Sequence, residues 1–166
     1  DSVIEVMNSE FLTQGPITPK FEKELSNYCN SKYSVAVVNA TSALHIACLA
    51  LDVKKGDIVW TSPISFVASS NAALYCDADV DFVDIDINTY NMSVDSLEEK
   101  LIQSEKLGKL PKVVIPVHLA GQSCDMQKIF ELSQKFNFKI IEDASHAIGA
   151  EYLNEKVGSC KYSDIT

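Results

Sequence analysis

One apolar, β-branched segment of the sequence ends in two carboxylates. The run that begins at Phe138 leads into Glu142 and Asp143, and His146 follows three residues later. A carboxylate at the carboxyl end of a strand can keep the nitrogen of a bound pyridinium ring protonated, which makes that ring a sink for electrons. A capping Asp and a hydrogen-bonded structural His explain the same residues, because acids at strand ends occur in many α/β enzymes. On this motif alone both interpretations stay open.

A second segment, Asn39-Ala-Thr-Ser42, lies between an apolar run and a helical pattern. Free backbone N–H groups and the helix dipole make the start of a helix a binding site for an anion, and the hydroxyls of Thr41 and Ser42 add donors. Ordinary N-capping by Thr or Ser is the more common reason for such residues at a helix start. The segment therefore indicates a phosphate site only in combination with other motifs.

Two further segments contribute an aromatic ring and a histidine. Phe66 is predicted one turn inside a helix that follows a strand, where its ring could stack on a planar cofactor or simply pack in the core. His118 lies in Pro-Val-His-Leu-Ala-Gly-Gln, where Gly121 permits a turn with positive φ. We expect His118 to support the site from beneath.

These motifs fall at the ends of predicted strands. Short β-branched runs alternate with helical patterns along the chain. The predicted strands are Ser34–Val38, Asp57–Thr61, Val80–Val83, Lys112–Val117 and Phe138–Glu142. The predicted helices are Pro19–Cys29, Ser42–Leu51, Ser65–Cys76, Val94–Leu107 and Asp125–Phe136. The alternation predicts a single α/β domain over residues 1–166, with a mostly parallel sheet flanked by helices and with ligands beyond the carboxyl ends of its strands.

The composition argues against several other classes of protein. The net charge of −9 and the absence of a basic stripe argue against nucleic acid as a partner, and no apolar run is long enough to predict a membrane span or membrane partner. All fourteen basic residues are lysines, so an anion would be bound by backbone N–H groups, hydroxyls or Lys. The sequence near Asp84 is similar to a calcium loop, but Thr89 stands where that loop needs Gly, and no metal site is predicted.

The cysteines predict a reduced, cytoplasmic protein. They are odd in number and widely spaced, and no Cys-x-x-Cys pair predicts a zinc site. Two of them lie in apolar helical patterns and are predicted to be small core residues. The five are Cys29, Cys48, Cys76, Cys124 and Cys160.

Taken together, the motifs resemble the DegT/StrS family of nucleotide-sugar aminotransferases, which depend on pyridoxal phosphate. Their order and approximate spacing agree with the family along nearly the whole chain. The matching segments are Phe11–Pro16, Asn39–His45, Ser62–Ala68, Val117–Gln122 and Glu142–Ala147. The branch of the family that acts in pseudaminic-acid synthesis is the most similar in three segments: Leu-Thr-Gln-Gly, Pro-Ile-Ser-Phe-Val-Ala and Ser-His-Ala-Ile-Gly.

The resemblance implies a fold, a reaction and residue roles. The fold is that of type I pyridoxal-phosphate enzymes, similar to aspartate aminotransferase, and the reaction moves an amino group from glutamate to C4 of a UDP-linked 4-keto-6-deoxy-N-acetyl sugar, for surface glycans or flagellin. Family members are homodimers. The implied cofactor contacts are Thr41 and Ser42 to the phosphate, Phe66 stacked on the ring, Asp143 to the ring nitrogen and His146 near the ring hydroxyl. The implied contacts to the sugar nucleotide are Leu12, Thr13 and Gln14.

The resemblance also implies what lies outside the chain. In the family the lysine that carries the cofactor follows the stretch that matches Tyr162–Thr166, so we expect an N-terminal part of the large domain, without the small C-terminal domain and with no catalytic lysine of its own. Such a chain alone is expected not to transaminate. Two alternatives remain: a sugar 3-dehydratase of the same family, in which His replaces that lysine, and a fragment without catalytic function.

Overall fold

A sheet of four parallel strands forms the centre of the computed structural model, which describes all residues from Asp1 to Thr166. The strands lie in the order β2-β1-β3-β4, and isolated bridges continue the parallel pairing from Val117 to Asp143 and from Ile141 to Ile165. A separate antiparallel hairpin, not predicted from the sequence, follows near the end of the chain. The strands are β1 (Ile58–Thr61), β2 (Asp79–Phe82), β3 (Val113–Ile115), β4 (Lys139–Ile140), β5 (Glu151–Tyr152) and β6 (Glu155–Lys156).

Helices separate the strands along the chain, as the alternating pattern predicts. All five predicted helices are present, with ends that shift by up to three residues, and one short N-terminal helix was not predicted. None of the helices is both long and apolar enough to cross a bilayer. The helices are α1 (Ser2–Met7), α2 (Ile17–Cys29), α3 (Ala40–Ala50), α4 (Ala68–Leu74), α5 (Val94–Leu107) and α6 (Met126–Phe136).

The predicted strand Ser34–Val38 is wrong for this structure. Its residues pair with no strand of the sheet, and Val35 and Val38 are 76% and 86% exposed. The backbone N–H of Ala36 donates instead to a carboxylate oxygen of Glu22 at 2.8 Å. A β-branched run becomes a strand only when a neighbouring strand can take its backbone hydrogen bonds, and these residues have no such neighbour.

Two apolar layers enclose the sheet. Val59 and Val113 belong to one layer with α3 and α4, whereas Trp60 and Val114 belong to the other with α5 and α6. The split follows from the strand geometry, in which successive side chains point to opposite faces. Cys48 lies in the first layer with Cys76, which confirms that these two are core residues.

Burial makes the cysteines chemically unequal. It raises the pKa of the Cys48 thiol to about 12 and that of Cys124 to about 12, and both side chains are almost fully buried. Cys160 is only partly buried. Because the thiolate is the form that reacts, we expect iodoacetamide at pH 8 to modify Cys160 first and to leave Cys48 and Cys124 unmodified until the protein unfolds. Mass spectrometry of timed digests measures this order, and modification of Cys48 as fast as Cys160 would contradict the packing.

Candidate functional site

Asp143 lies at the carboxyl edge of the sheet with its side chain only 6% exposed. Its Oδ2 accepts a hydrogen bond from the hydroxyl of Ser69 at 2.6 Å, and its Oδ1 accepts one from the hydroxyl of Ser145 at 2.6 Å. The backbone N–H of Asp143 donates to the carbonyl of Pro116, and its carbonyl accepts from the N–H of His118. Donors on both oxygens compensate for the loss of water that burial imposes, and they fix the orientation of the carboxylate.

No cation of the chain pairs with this carboxylate. Every ion pair in the protein involves a different acid. A buried carboxylate bound only by hydroxyls and one N–H retains acceptor capacity, since each ionised carboxylate can accept about four hydrogen bonds. Asp143 can therefore accept a further donor from a ligand, and a cationic donor fits best.

Ser69 is the partner of Asp143 that sequence reasoning missed. It lies on the buried side of α4 with Ala68, Ala72 and Ala73 as its neighbours. A single hydroxyl on a helix face made otherwise of small apolar residues is the signal that could have indicated it. Its hydroxyl also lies 3.2 Å from the hydroxyl of Ser65.

Phe66 lies in the loop before α4 and not one turn inside a helix as predicted. The helix begins only at Ala68 because Pro63 opens a run of bends after β1. The ring of Phe66 is 72% exposed, so core packing does not explain it. The carbonyl of Phe66 accepts a hydrogen bond from the backbone N–H of Ser69 at 3.3 Å. This bond holds Phe66 next to the first turn of α4, which carries the side chain that binds Asp143.

Thr41 and Ser42 lie in the first turn of α3. The cap of this helix is Asn39, whose side-chain oxygen accepts the backbone N–H of Ser42 at 2.9 Å. The hydroxyls of Thr41 and Ser42 make no hydrogen bond within the chain and are thus free to bind an anion. Capping does not account for these two residues, and α3 packs against α4 in the same apolar layer.

His146 is exposed in a turn that starts directly after Asp143. The loop after β3 supports this turn, because a Cβ added to Gly121 would lie only 3.0 Å from the carbonyl oxygen of His146. Gly121 has a φ of +89°, so the chain needs Gly there both for its backbone conformation and for this close approach. The structure thus brings together the loops that follow β3 and β4.

Glu142 faces away from Asp143. One of its oxygens lies 2.8 Å from Nε2 of His118, and the other accepts the hydroxyls of Ser163 and Thr166. His118 is fully buried, so it packs inside the protein and does not face the cleft; that it supports the site stays a prediction. The two neighbouring acids therefore serve different partners on opposite sides of the strand end.

Leu12, Thr13 and Gln14 lie apart from these residues. They belong to an exposed bend between α1 and α2, where Leu12 is 68% exposed and Gln14 has a φ of +52°. No hydrogen bond joins them to the residues around Asp143. That these three line a sugar-nucleotide site stays a prediction.

The arrangement fits the cofactor that the resemblance implies. A buried carboxylate without a cationic partner suits a protonated ring nitrogen, an exposed aromatic ring suits a planar face, and a helix start with unused hydroxyls suits a phosphate. Asp143 and Phe66 follow the carboxyl ends of strands, the usual position of ligands in open α/β sheets, and Thr41 and Ser42 lie in the first turn of α3.

Comparison with known proteins agrees with this chemistry. The whole chain, residues 1–166, matches the sequence model of the DegT/DnrJ/EryC1/StrS aminotransferase family. It is 41% identical over 167 residues to the UDP-4-amino-4,6-dideoxy-N-acetyl-beta-L-altrosamine transaminase of Campylobacter jejuni serotype O:2, in an alignment that covers 100% of this chain and 42% of that protein.

Solved structures show the same fold. PseC of Helicobacter pylori, an aminotransferase involved in the biosynthesis of pseudoaminic acid, superimposes with a TM-score of 0.85 at 33% identity, over 95% of this chain and 41% of PseC. The PLP form of the putative sugar aminotransferase Spr1654 from Streptococcus pneumoniae gives 0.84 at 29% identity, over 98% of this chain and 43% of that one. The predicted fold class is confirmed, and the chain spans about two fifths of the length of these relatives.

The Ser69 contact to Asp143 is testable through stability. Ser69→Ala removes the hydroxyl bound to a buried carboxylate, and we expect it to lower the free energy of unfolding by about 1.5–3 kcal/mol. Ser70→Ala is the matched control, because Ser70 is the next residue of α4 and its hydroxyl bonds only the carbonyl of Val67. Urea unfolding of both variants measures the difference, and equal losses would show that Asp143 does not depend on Ser69.

Proposed function

This chain belongs to the DegT/DnrJ/EryC1/StrS aminotransferase family, and we propose that it is the N-terminal part of the cofactor-binding large domain of a nucleotide-sugar aminotransferase. The observation that carries the proposal is the buried, unpaired carboxylate of Asp143 at the carboxyl edge of a parallel sheet. Aminotransferases of this family use pyridoxal phosphate, and a similar solved structure has the cofactor bound.

Each residue of the site has a role in holding the cofactor. Asp143 would hold a proton on the ring nitrogen, while Ser69 and Ser145 keep its carboxylate in place. Phe66 would cover one face of the ring, and the start of α3 with Thr41 and Ser42 would bind the phosphate. His146 would lie near the ring hydroxyl. When bound, pyridoxal phosphate supplies a ring that withdraws electrons from the carbon that loses its proton.

The substrates follow from the relatives. We propose that the amino donor is glutamate and that the acceptor is C4 of a UDP-linked 4-keto-6-deoxy-N-acetyl sugar, with Leu12, Thr13 and Gln14 at the sugar nucleotide. The support is the 41% identity to a transaminase named for such an amino sugar and the similarity to PseC. The product would serve the synthesis of surface glycans or modified flagellin.

The proposal also includes the cellular location and the oligomeric state of the protein. Five unpaired cysteines support a reducing cytoplasmic location. A homodimer is proposed because the resemblance to the family implies one, and exposed apolar side chains such as Tyr33, Val35 and Val38 are compatible with further contacts in the whole protein.

Product analysis tests the reaction. The protein, extended to the full length of its relatives, is incubated with pyridoxal phosphate, glutamate and a UDP-4-keto-6-deoxy-N-acetyl sugar. Formation of the 4-amino sugar together with 2-oxoglutarate is the expected result. A 3-deoxy sugar without nitrogen would identify a dehydratase instead, and no product at all would refute the proposed reaction.

Asp143→Asn tests the role of the carboxylate in that full-length protein. A neutral amide no longer favours a proton on the ring nitrogen, so we expect kcat to fall at least about tenfold while cofactor binding is largely retained. Absorbance of the bound cofactor and steady-state rates measure the two quantities. The control is Asp79→Asn, an exposed acid at the start of β2, where the sheet has no candidate site residue. If both substitutions lower kcat equally, Asp143 has no special role in the proposed site.

A further inference from the structure

A buried pair of titratable side chains lies directly beneath the candidate site and is not used by the proposed chemistry. His118 is fully buried and Glu142 is 6% exposed, and Nε2 of His118 lies 2.8 Å from Oε2 of Glu142. Nδ1 of the same ring accepts the backbone N–H of Cys124 at 3.1 Å. Because Nδ1 is an acceptor, the ring proton must be on Nε2, which donates to the carboxylate.

The free oxygen of Glu142 binds the last residues of the chain. Oε1 accepts the hydroxyl of Ser163 and, at 3.2 Å, the hydroxyl of Thr166. Two backbone hydrogen bonds accompany these side-chain contacts. The N–H of Glu142 donates to the carbonyl of Ile165 at 2.8 Å, and the N–H of Asp164 donates to the carbonyl of Ile140 at 3.0 Å. The segment 163–166 thus lies beside the end of β4, joined to it by one parallel bridge between Ile141 and Ile165, with Glu142 as its side-chain anchor.

Ser163 and Thr166 reach the same oxygen of Glu142 because the segment bends at Asp164. In a regular strand, two residues three positions apart would face opposite sides, since the side-chain period is two residues. Asp143 and Glu142 are neighbours that face opposite partners, Ser69 on one side and the His118 ring on the other. The two hydroxyls therefore hold the bent segment in one position, on the Glu142 side of the strand end.

We propose that Glu142, oriented by His118, is a positioning residue of the aminotransferase site: it fixes the position of segment 163–166 against the strand end that carries Asp143. The inference rests on the proposed function and extends it to residues on the opposite side of the strand. Neither Glu142 nor His118 touches substrate or cofactor in this account. They act through the backbone that they hold.

The test removes the hydroxyls and leaves the buried pair intact. In the full-length protein, Ser163→Ala combined with Thr166→Val deletes both donors to Glu142, and Thr166→Ser is the conservative control that keeps its hydroxyl. Hydrogen exchange of the backbone amides of Asp164 and Ile165, read by mass spectrometry, reports whether the segment stays bound to the strand end, without any need for activity. Steady-state rates with glutamate and the keto sugar report the consequence for catalysis.

We expect the double variant to exchange these amides about tenfold faster and to lose about tenfold in kcat, with KM for glutamate within about twofold of wild type. Thr166→Ser should behave like wild type. A second pair of variants probes the ring: His118→Gln can still donate to Glu142, whereas His118→Asn can still accept from Cys124 but no longer reaches the carboxylate. We expect only His118→Asn to show the fast exchange.

The outcomes separate the inference from the function on which it rests. An active wild-type protein whose double variant exchanges and turns over normally overturns the positioning role. Fast exchange with an unchanged kcat also overturns it, because the network would then be structural only. A wild-type protein that forms no amino sugar refutes the proposed function itself, whatever the exchange rates of the variants.

Discussion

A carboxylate that is buried at the end of a strand must be given hydrogen-bond donors in place of water, and the packing around Asp143 follows from this requirement. Ser69 and Ser145 supply those donors from two different elements, α4 and the turn after β4. Because the hydroxyl of Ser69 must reach the strand end, α4 has to lie close to the sheet, and its buried face is built from Ala68, Ala72 and Ala73. Phe66 lies in the loop directly before this helix, so the contact of Ser69 with Asp143 also holds the loop that carries the aromatic ring of the site.

Glu142, the adjacent acid, is also buried at the strand end, but its hydrogen-bond donors are different. Glu142 lies on the opposite side of the strand and is given a neutral imidazole and two hydroxyls as partners. Each of the two carboxylates accepts three hydrogen bonds from the chain, but they lie on opposite sides of the strand end and have different partners: Asp143 lies among the candidate site residues, whereas Glu142 is bound to the buried ring and to segment 163–166. Buried polar groups that are hydrogen-bonded in this way help to specify the arrangement of the loops around them.

The parts of the site that depend on local patterns could be predicted from the sequence, and the parts that depend on tertiary partners could not. Asp143 at a strand end and the start of α3 at Thr41 follow from the alternation of apolar and helical patterns. The contact of Ser69 with Asp143 joins residues 74 positions apart, and no local pattern contains it. The strand predicted over Ser34–Val38 failed for the same reason, since its β-branched residues describe a strand only when a neighbour is present. Phe66 was predicted one turn inside a helix but lies in the loop before α4, because helical periodicity continues through residues that the bends after Pro63 keep out of the helix.

The central claim is that Asp143 keeps its carboxylate available for the ring nitrogen of pyridoxal phosphate. A crystal structure of the full-length protein with the cofactor bound measures this directly. We expect one oxygen of Asp143 about 2.7–2.9 Å from the ring nitrogen, as in a charge-assisted hydrogen bond, with the phosphate at the start of α3. A cofactor whose ring nitrogen faces another residue, with Asp143 bound only to Ser69 and Ser145, would contradict it.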